Sequence, residues 1–142
     1  MRLTLGLTHV TTQKYAGIFE QLFLTCLLPP WSNNELKRLI KTPKLHFLDS
    51  GLLAALRDLS PQHLAANRGA FGALLETFIL SEVLKLASWT GQRFSLSHYR
   101  DKEQNEVDIV IEDEERRTVG VEVKAGATVT APRAAPTPWP RL

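Results

Sequence analysis

Asp108, Glu122 and Lys124 are spaced so that they could do chemistry together. Asp108 lies in Glu106-Val107-Asp108-Ile109-Val110-Ile111, and the other two close Val119-Gly120-Val121-Glu122-Val123-Lys124. Both runs alternate, and the charged tip Asp113-Glu114-Glu115-Arg116-Arg117 between them suits a turn, so the pair predicts a β-hairpin. With a period of two, Glu106, Asp108 and Val110 share one face of the first strand, and Gly120, Glu122 and Lys124 one face of the second. If the hairpin centres on Glu115, Asp108 opposes Glu122 with Cβ atoms roughly 5 Å apart, and Glu106 opposes Lys124. A slip of one residue would send Asp108 to the valine face. Two adjacent carboxylates repel unless a cation lies between them, and oxygen donors of this kind suit Mg²⁺ or Mn²⁺. A lysine on the same face could orient a metal-bound water. The plain alternative is a solvated hairpin rim.

A helix must cover this hairpin, and Phe71 to Ala87 is the longest helical pattern. At about 100° per residue, Glu76 falls among Ile79, Val83 and Ala87, while Thr77, Ser81 and Lys85 take the opposite arc. A glutamate on an apolar arc needs a partner, a proton or a metal. A salt bridge to Arg100 or Lys124 would satisfy it without chemistry. Phe94 to Arg100 alternates as a further strand and Asp101 to Asn105 reads as a polar turn. The C-terminal unit is therefore helix, strand, strand, strand.

An Asp on one strand and Glu-x-Lys on the next resembles the core of the PD-(D/E)XK nuclease superfamily, with Val107 in place of the motif's proline. The resemblance implies Asp108 and Glu122 as metal ligands, with Lys124 and Glu76 as catalytic and supporting groups.

Bulk properties narrow the classes. With 142 residues, 44% hydrophobic and 23% charged, the chain fits one domain or two very small ones. The single cysteine, Cys26, excludes an internal disulfide framework and fits a reducing cytoplasm. No Cys/His set has zinc spacing, and no run reaches membrane-spanning length. The phosphate-loop pattern GxxxxGK[ST] is absent, so ATP is not expected to bind this chain. Net charge is +2 but uneven: residues 1–60 carry seven basic and four acidic groups, residues 61–127 eight and eleven.

The basic front half reads as a small winged-helix-like unit over residues 1–60. A helix is predicted from about Thr11 to Leu24, with Tyr15, Ile18, Phe19, Leu22 and Phe23 on one stripe. Pro29-Pro30 ends that element. Leu36 to Ile40 and Leu45 to Leu48 read as two short wing strands. Lys37, Arg38, Lys41 and Lys44 cluster there and could contact phosphates, or simply protect a sheet edge. Asp49 and Ser50 are good caps for a helix from Gly51. Leu59 to Gly69 reads as a linker, 68–127 as the nuclease-like unit, and 128–142 as a disordered Ala/Pro-rich tail.

Several phrases together resemble one family. They include Leu28-Pro29-Pro30-Trp31, the block Lys41-Thr42-Pro43-Lys44 running to Asp49-Ser50-Gly51-Leu52, Leu75-Glu76, Tyr99-Arg100, Glu106-Val107-Asp108 and Glu122-Val123-Lys124. Their order is similar to the C-terminal domain of unknown function of bacterial and archaeal AAA-superfamily ATP-binding proteins. The resemblance implies an α+β fold, a winged-helix-like segment followed by a partial restriction-endonuclease-like helix and three-stranded sheet. It also implies an ATPase domain that this chain lacks, and a family pattern that stops near Val129, as in a truncated or frame-shifted product. Three functions follow as expectations: a non-catalytic module that binds DNA or an ATPase partner, an Mg²⁺-dependent nuclease, or a fragment with no independent role.

Overall fold

A computed structural model describes Gly6 and residues 8–31, 42–101 and 103–126. Among the described residues the fold is α+β, with four helices and two small antiparallel sheets. The alternating sequence after Arg93 makes a three-stranded meander: β3 (Phe94–Arg100), β4 (Glu106–Asp113) and β5 (Thr118–Val121). The β4–β5 register pairs Ile109 with Val121 and Ile111 with Val119, the pairing expected for a turn centred on Glu115. The turn closes with Arg116 in the left-handed region at φ 66° and Asp113 Oδ1 accepting from the Glu115 and Arg117 amides.

The face expected to carry Glu106, Asp108 and Val110 together is broken by a β-bulge. Ser97 pairs with Val110 but Tyr99 pairs with Val107, so β4 holds one extra residue opposite His98. A bulge reverses the alternation on one side of it. Val107 and Val110 consequently pack together with Tyr99 and Trp31 on one face. Glu106 and Asp108 turn to the other, where Ile109 packs on Leu28 and Leu80.

α4 (Arg68–Trp89) covers that second face. Its buried residues are Ala70, Thr77, Leu80 and Ser81, not the arc through Ile79, Val83 and Ala87. The correction has a simple cause. The helix is apolar nearly all round, so periodicity alone does not choose its buried side. Glu76 lies at the edge of the buried side, with 23% of its side chain exposed.

α1 (His9–Gln21) is capped by Thr8 and stops three residues earlier than expected. Phe23 donates to the Glu20 carbonyl and Leu24 to the Phe19 carbonyl, which is the Schellman closure. Phe23 fills the left-handed position at φ 55° where glycine is usual. The expected stripe on α1 is largely exposed, from Ile18 at 38% to Phe23 at 81%. Thr25–Leu28 then forms β1, which pairs antiparallel with β2 (Lys44–Phe47). The first strand of the expected wing, Leu36 to Ile40, lies outside the described residues.

The N-terminal segment meets the meander. Pro30 bridges to His98 in the parallel sense, His98 donates its amide to Pro29, and Trp31 donates its amide to the His98 carbonyl. The edge of the meander is thus extended by the N-terminal segment. The core mixes Leu28 and Cys26 with Leu80, Ile79, Ile109 and Val121. α2 (Ser50–Leu56) starts at Asp49, whose carboxylate accepts the Leu52 amide at 2.8 Å. The expected linker contains α3 (Pro61–Ala66), started by Ser60 with Pro at N1.

Candidate functional site

β2 begins with Lys44-Leu45-His46, so Lys44 and His46 share one side of the strand. That side meets α4 and the bulged end of β4. Lys44 reaches three carboxylates from two elements: Glu106 Oε1 at 2.7 Å, Glu76 Oε1 at 2.9 Å and Asp108 Oδ1 at 3.4 Å. The Lys44 side chain is 22% exposed. Burial works against its charge, but hydrogen bonds to Glu106 and Glu76 and their charges hold it above the usual lysine range. Burial likewise pushes the Glu106 carboxyl up, yet the hydrogen bond and charge of Lys44, with Arg100 and His98 beyond, leave it below the ordinary value.

Two histidines line the cluster. His46 is 6% exposed, with Nδ1 3.3 Å from Thr77 Oγ1 and Nε2 3.7 Å from Glu76 Oε1. His98 is 2% exposed and its Nε2 lies 3.1 Å from the Thr42 carbonyl. Desolvation pushes both imidazoles below the ordinary histidine value, and Lys44 adds to the effect. Both are therefore neutral near pH 7. An open cleft of about 440 Å³ lies beside His46, lined also by Lys44, Arg57, Glu76, Thr77 and Glu106 among others.

The residues expected to act together divide into two groups. Glu76 and Asp108 meet on Lys44, which is the partner of Glu76 in place of Arg100 or Lys124. Glu122 and Lys124 pair with each other at the surface, with 40% and 55% of their side chains exposed. One contact joins the groups: the Val123 amide donates to Asp108 Oδ2 at 2.9 Å. Arg68 holds the same strand end by donating to the Ala125 carbonyl at 3.1 Å. Lys37, Arg38 and Lys41 lie outside the described residues. Lys44, grouped with them on sequence, faces carboxylates.

Both Asp108 oxygens are engaged, one by Lys44 and one by Val123, and Glu122 is engaged by Lys124. Among the described residues, no three His, Cys, Asp or Glu side chains are placed to hold a metal ion. Sequence reasoning missed Glu106, His46 and His98 as members of the cluster. Lys44-x-His46 on one strand face was a readable signal for His46. The bulge that moves Val110 off the face of Glu106 and Asp108 and brings Ile109 onto it had no readable signal.

Comparison with known proteins adds two matches to uncharacterised families. Residues 71–135 match the family model described as Domain of unknown function (DUF4143), and residues 1–63 match Domain of unknown function (DUF8612). Lys44 lies in the second segment, and its three carboxylate partners lie in the first. The chain is also similar to uncharacterized protein Rv2008c of Mycobacterium tuberculosis and uncharacterized protein Mb2031c of Mycobacterium bovis. Each is 25% identical over 130 residues, covering 92% of this chain. The chain spans 28% of the length of these relatives. No solved structure matches it. No helix among the described residues is long and apolar enough to cross a membrane.

Proposed function

We propose that this chain is an accessory module of an AAA-family ATP-binding protein, C-terminal to the ATPase, that binds DNA or a protein partner and does not cut by itself. The match of residues 71–135 to a domain that typically accompanies AAA-ATPase regions supports the setting, as does the greater length of the relatives. The observation that carries the non-catalytic reading is Lys44. A nuclease-like carboxylate site needs a divalent cation at the meeting point of its acids. Here an ammonium takes that point at 2.7 to 3.4 Å from Glu106, Glu76 and Asp108. Lys124, which would orient a water, is paired with Glu122.

In this reading Lys37, Arg38 and Lys41 supply phosphate contacts from a winged-helix-like front unit. DNA affinity measured against salt tests it. Replacing these three by alanine lowers the affinity and flattens the salt slope by roughly one unit for each phosphate no longer neutralised, while Asp108→Ala leaves both unchanged. Salt-independent binding, or equal weakening in Asp108→Ala, would overturn it.

A second reading, an Mg²⁺-dependent nuclease, is favoured by the Asp108–Val123 contact, which holds Asp108 beside the Glu122–Lys124 pair. Its test is plasmid nicking with Mg²⁺ or Mn²⁺. Nicking that disappears in Asp108→Ala would establish it.

A further inference from the structure

Large apolar side chains in a row are rarely left in water, and α1 leaves such a row. At about 100° per residue, Tyr15, Ile18, Phe19 and Leu22 fall within about 100° of one another and form a single stripe. They are 49%, 38%, 42% and 60% exposed. The stripe continues onto the smaller sheet. Leu27 and Leu45 oppose each other in the β1–β2 register and are 38% and 51% exposed. Glu20 Oε1 accepts the Leu27 amide at 2.9 Å, and the Leu48 amide donates to the Leu24 carbonyl at 3.0 Å, so this sheet is tied to the end of α1. With roughly 150–250 Å² for a large apolar side chain, these residues leave on the order of 600 Å² in water, the top of the range for the largest apolar patch on a monomer.

Charge narrows what can cover this face. Among Asp, Glu, Lys and Arg, α1 carries only Lys14 and Glu20, and the Glu20 carboxylate is engaged by the Leu27 amide. Phosphate recognition and adsorption to an anionic membrane both call for clustered cations, and a single lysine does not make a cluster. A charged peptide would find no complementary charge either. An apolar patch without directional groups is complementary to itself, and a two-fold contact uses it twice and leaves none of it exposed. Two copies of the patch bring together about 1,200 Å², the lower end of the range for specific interfaces. We propose that this face is the two-fold interface between two copies of this chain, with α1 of one copy packed on α1 of the other. The dimer goes beyond the module reading and is independent of whether the module binds DNA.

The test is sedimentation equilibrium of the wild-type chain from about 1 to about 100 μM, with no nucleic acid present. The mass is expected to rise to twice that of the monomer, with a Kd on the order of 10 μM, in keeping with an interface at the low end of the size range. Leu22→Glu and Tyr15→Glu each bring two like charges to the interface and should weaken the dimer at least roughly tenfold. Leu86→Glu on α4, where Leu86 is also 60% exposed, should leave it unchanged. In wild type, hydrogen exchange of the α1 amides should slow as concentration rises through the same range. A chain that stays monomeric to about 100 μM would overturn the proposal and leave the face to another partner, such as the longer chain of the relatives. Mass that climbs past the dimer without a plateau would overturn it too, because the contact would not close. A dimer whose α1 exchange does not change with concentration would overturn the placement without any variant. Weakened DNA binding in the Lys37, Arg38 and Lys41 variant bears on the module reading alone.

Discussion

Removing Lys44 should destabilise the fold in a way that pH reverses. The ammonium touches Glu106 at 2.7 Å and Glu76 at 2.9 Å, which places their two oxygens no more than about 6 Å apart. At an effective dielectric near 20, each ammonium contact is worth about 6 kcal/mol before desolvation, and each carboxylate pair left behind repels by about 3 kcal/mol. Breaking a fully buried pair typically costs about 3–5 kcal/mol. The Lys44 side chain is 22% exposed and that of Glu106 36%, so solvent screening reduces this figure. Lys44→Met should therefore cost about 2–3 kcal/mol at pH 7, read by urea unfolding with the fluorescence of Trp31, which is 7% exposed. Glu106 has a folded value below its ordinary one. Its contribution is therefore present above the unfolded carboxylate value and is lost as pH falls through the lower, folded value. In Lys44→Met that depression of Glu106 is gone. The difference between variant and wild type should shrink as pH falls below the unfolded carboxylate value and through the lower, folded value of Glu106. A cost below about 0.5 kcal/mol at pH 7, or one that persists unchanged in acid, would refute the reasoning.

Three further outcomes follow from the fold. Phe23→Gly should raise stability by up to about 1 kcal/mol, because Phe23 holds the left-handed position of the α1 terminus while 81% exposed; thermal unfolding checks it. Asp101→Ala should cost about 2–3 kcal/mol. Its carboxylate accepts from the Glu103 amide at 2.9 Å, the Asn105 amide at 2.9 Å, Asn105 Nδ2 at 2.8 Å and Tyr99 Oη at 3.3 Å. Burial raises the Asp101 carboxyl, but these bonds outweigh it and leave it below the usual range. The cost should therefore fade below about pH 4 in chemical denaturation. Leu80→Ala should cost about 3 kcal/mol and Leu86→Ala under about 0.5, since Leu80 is 1% exposed and Leu86 60%.

The meander and its register were legible because its strands alternate and a charged tip separates them. The start of α2 was legible in Asp49, and the long helix in its length. The ends of α1 and α2 were not. Both close with Schellman bonds through a non-glycine residue, Phe23 in one and Asp58 in the other, so the usual stop signal is absent. β1 was missed because four residues after a helix carry little periodicity. The buried side of α4 was misjudged because Thr77 and Ser81 look polar, although Ser81 Oγ satisfies itself on the Phe78 carbonyl and Thr77 Oγ1 lies against His46. Of the candidate site, the convergence of Glu76 and Asp108 was readable. The cation between them was not, because Lys44 is distant in sequence and sits among other basic residues.

The most direct test of the central claim is a double-mutant cycle on Lys44→Met and Glu106→Gln, measured by urea unfolding at pH 7. If Lys44 is the shared counter-ion of a closed cluster that ties the two family-matched segments together, the pair should couple by about 1–2 kcal/mol. Additivity within about 0.3 kcal/mol would mean that the ammonium and the carboxylate act independently, and would contradict the account.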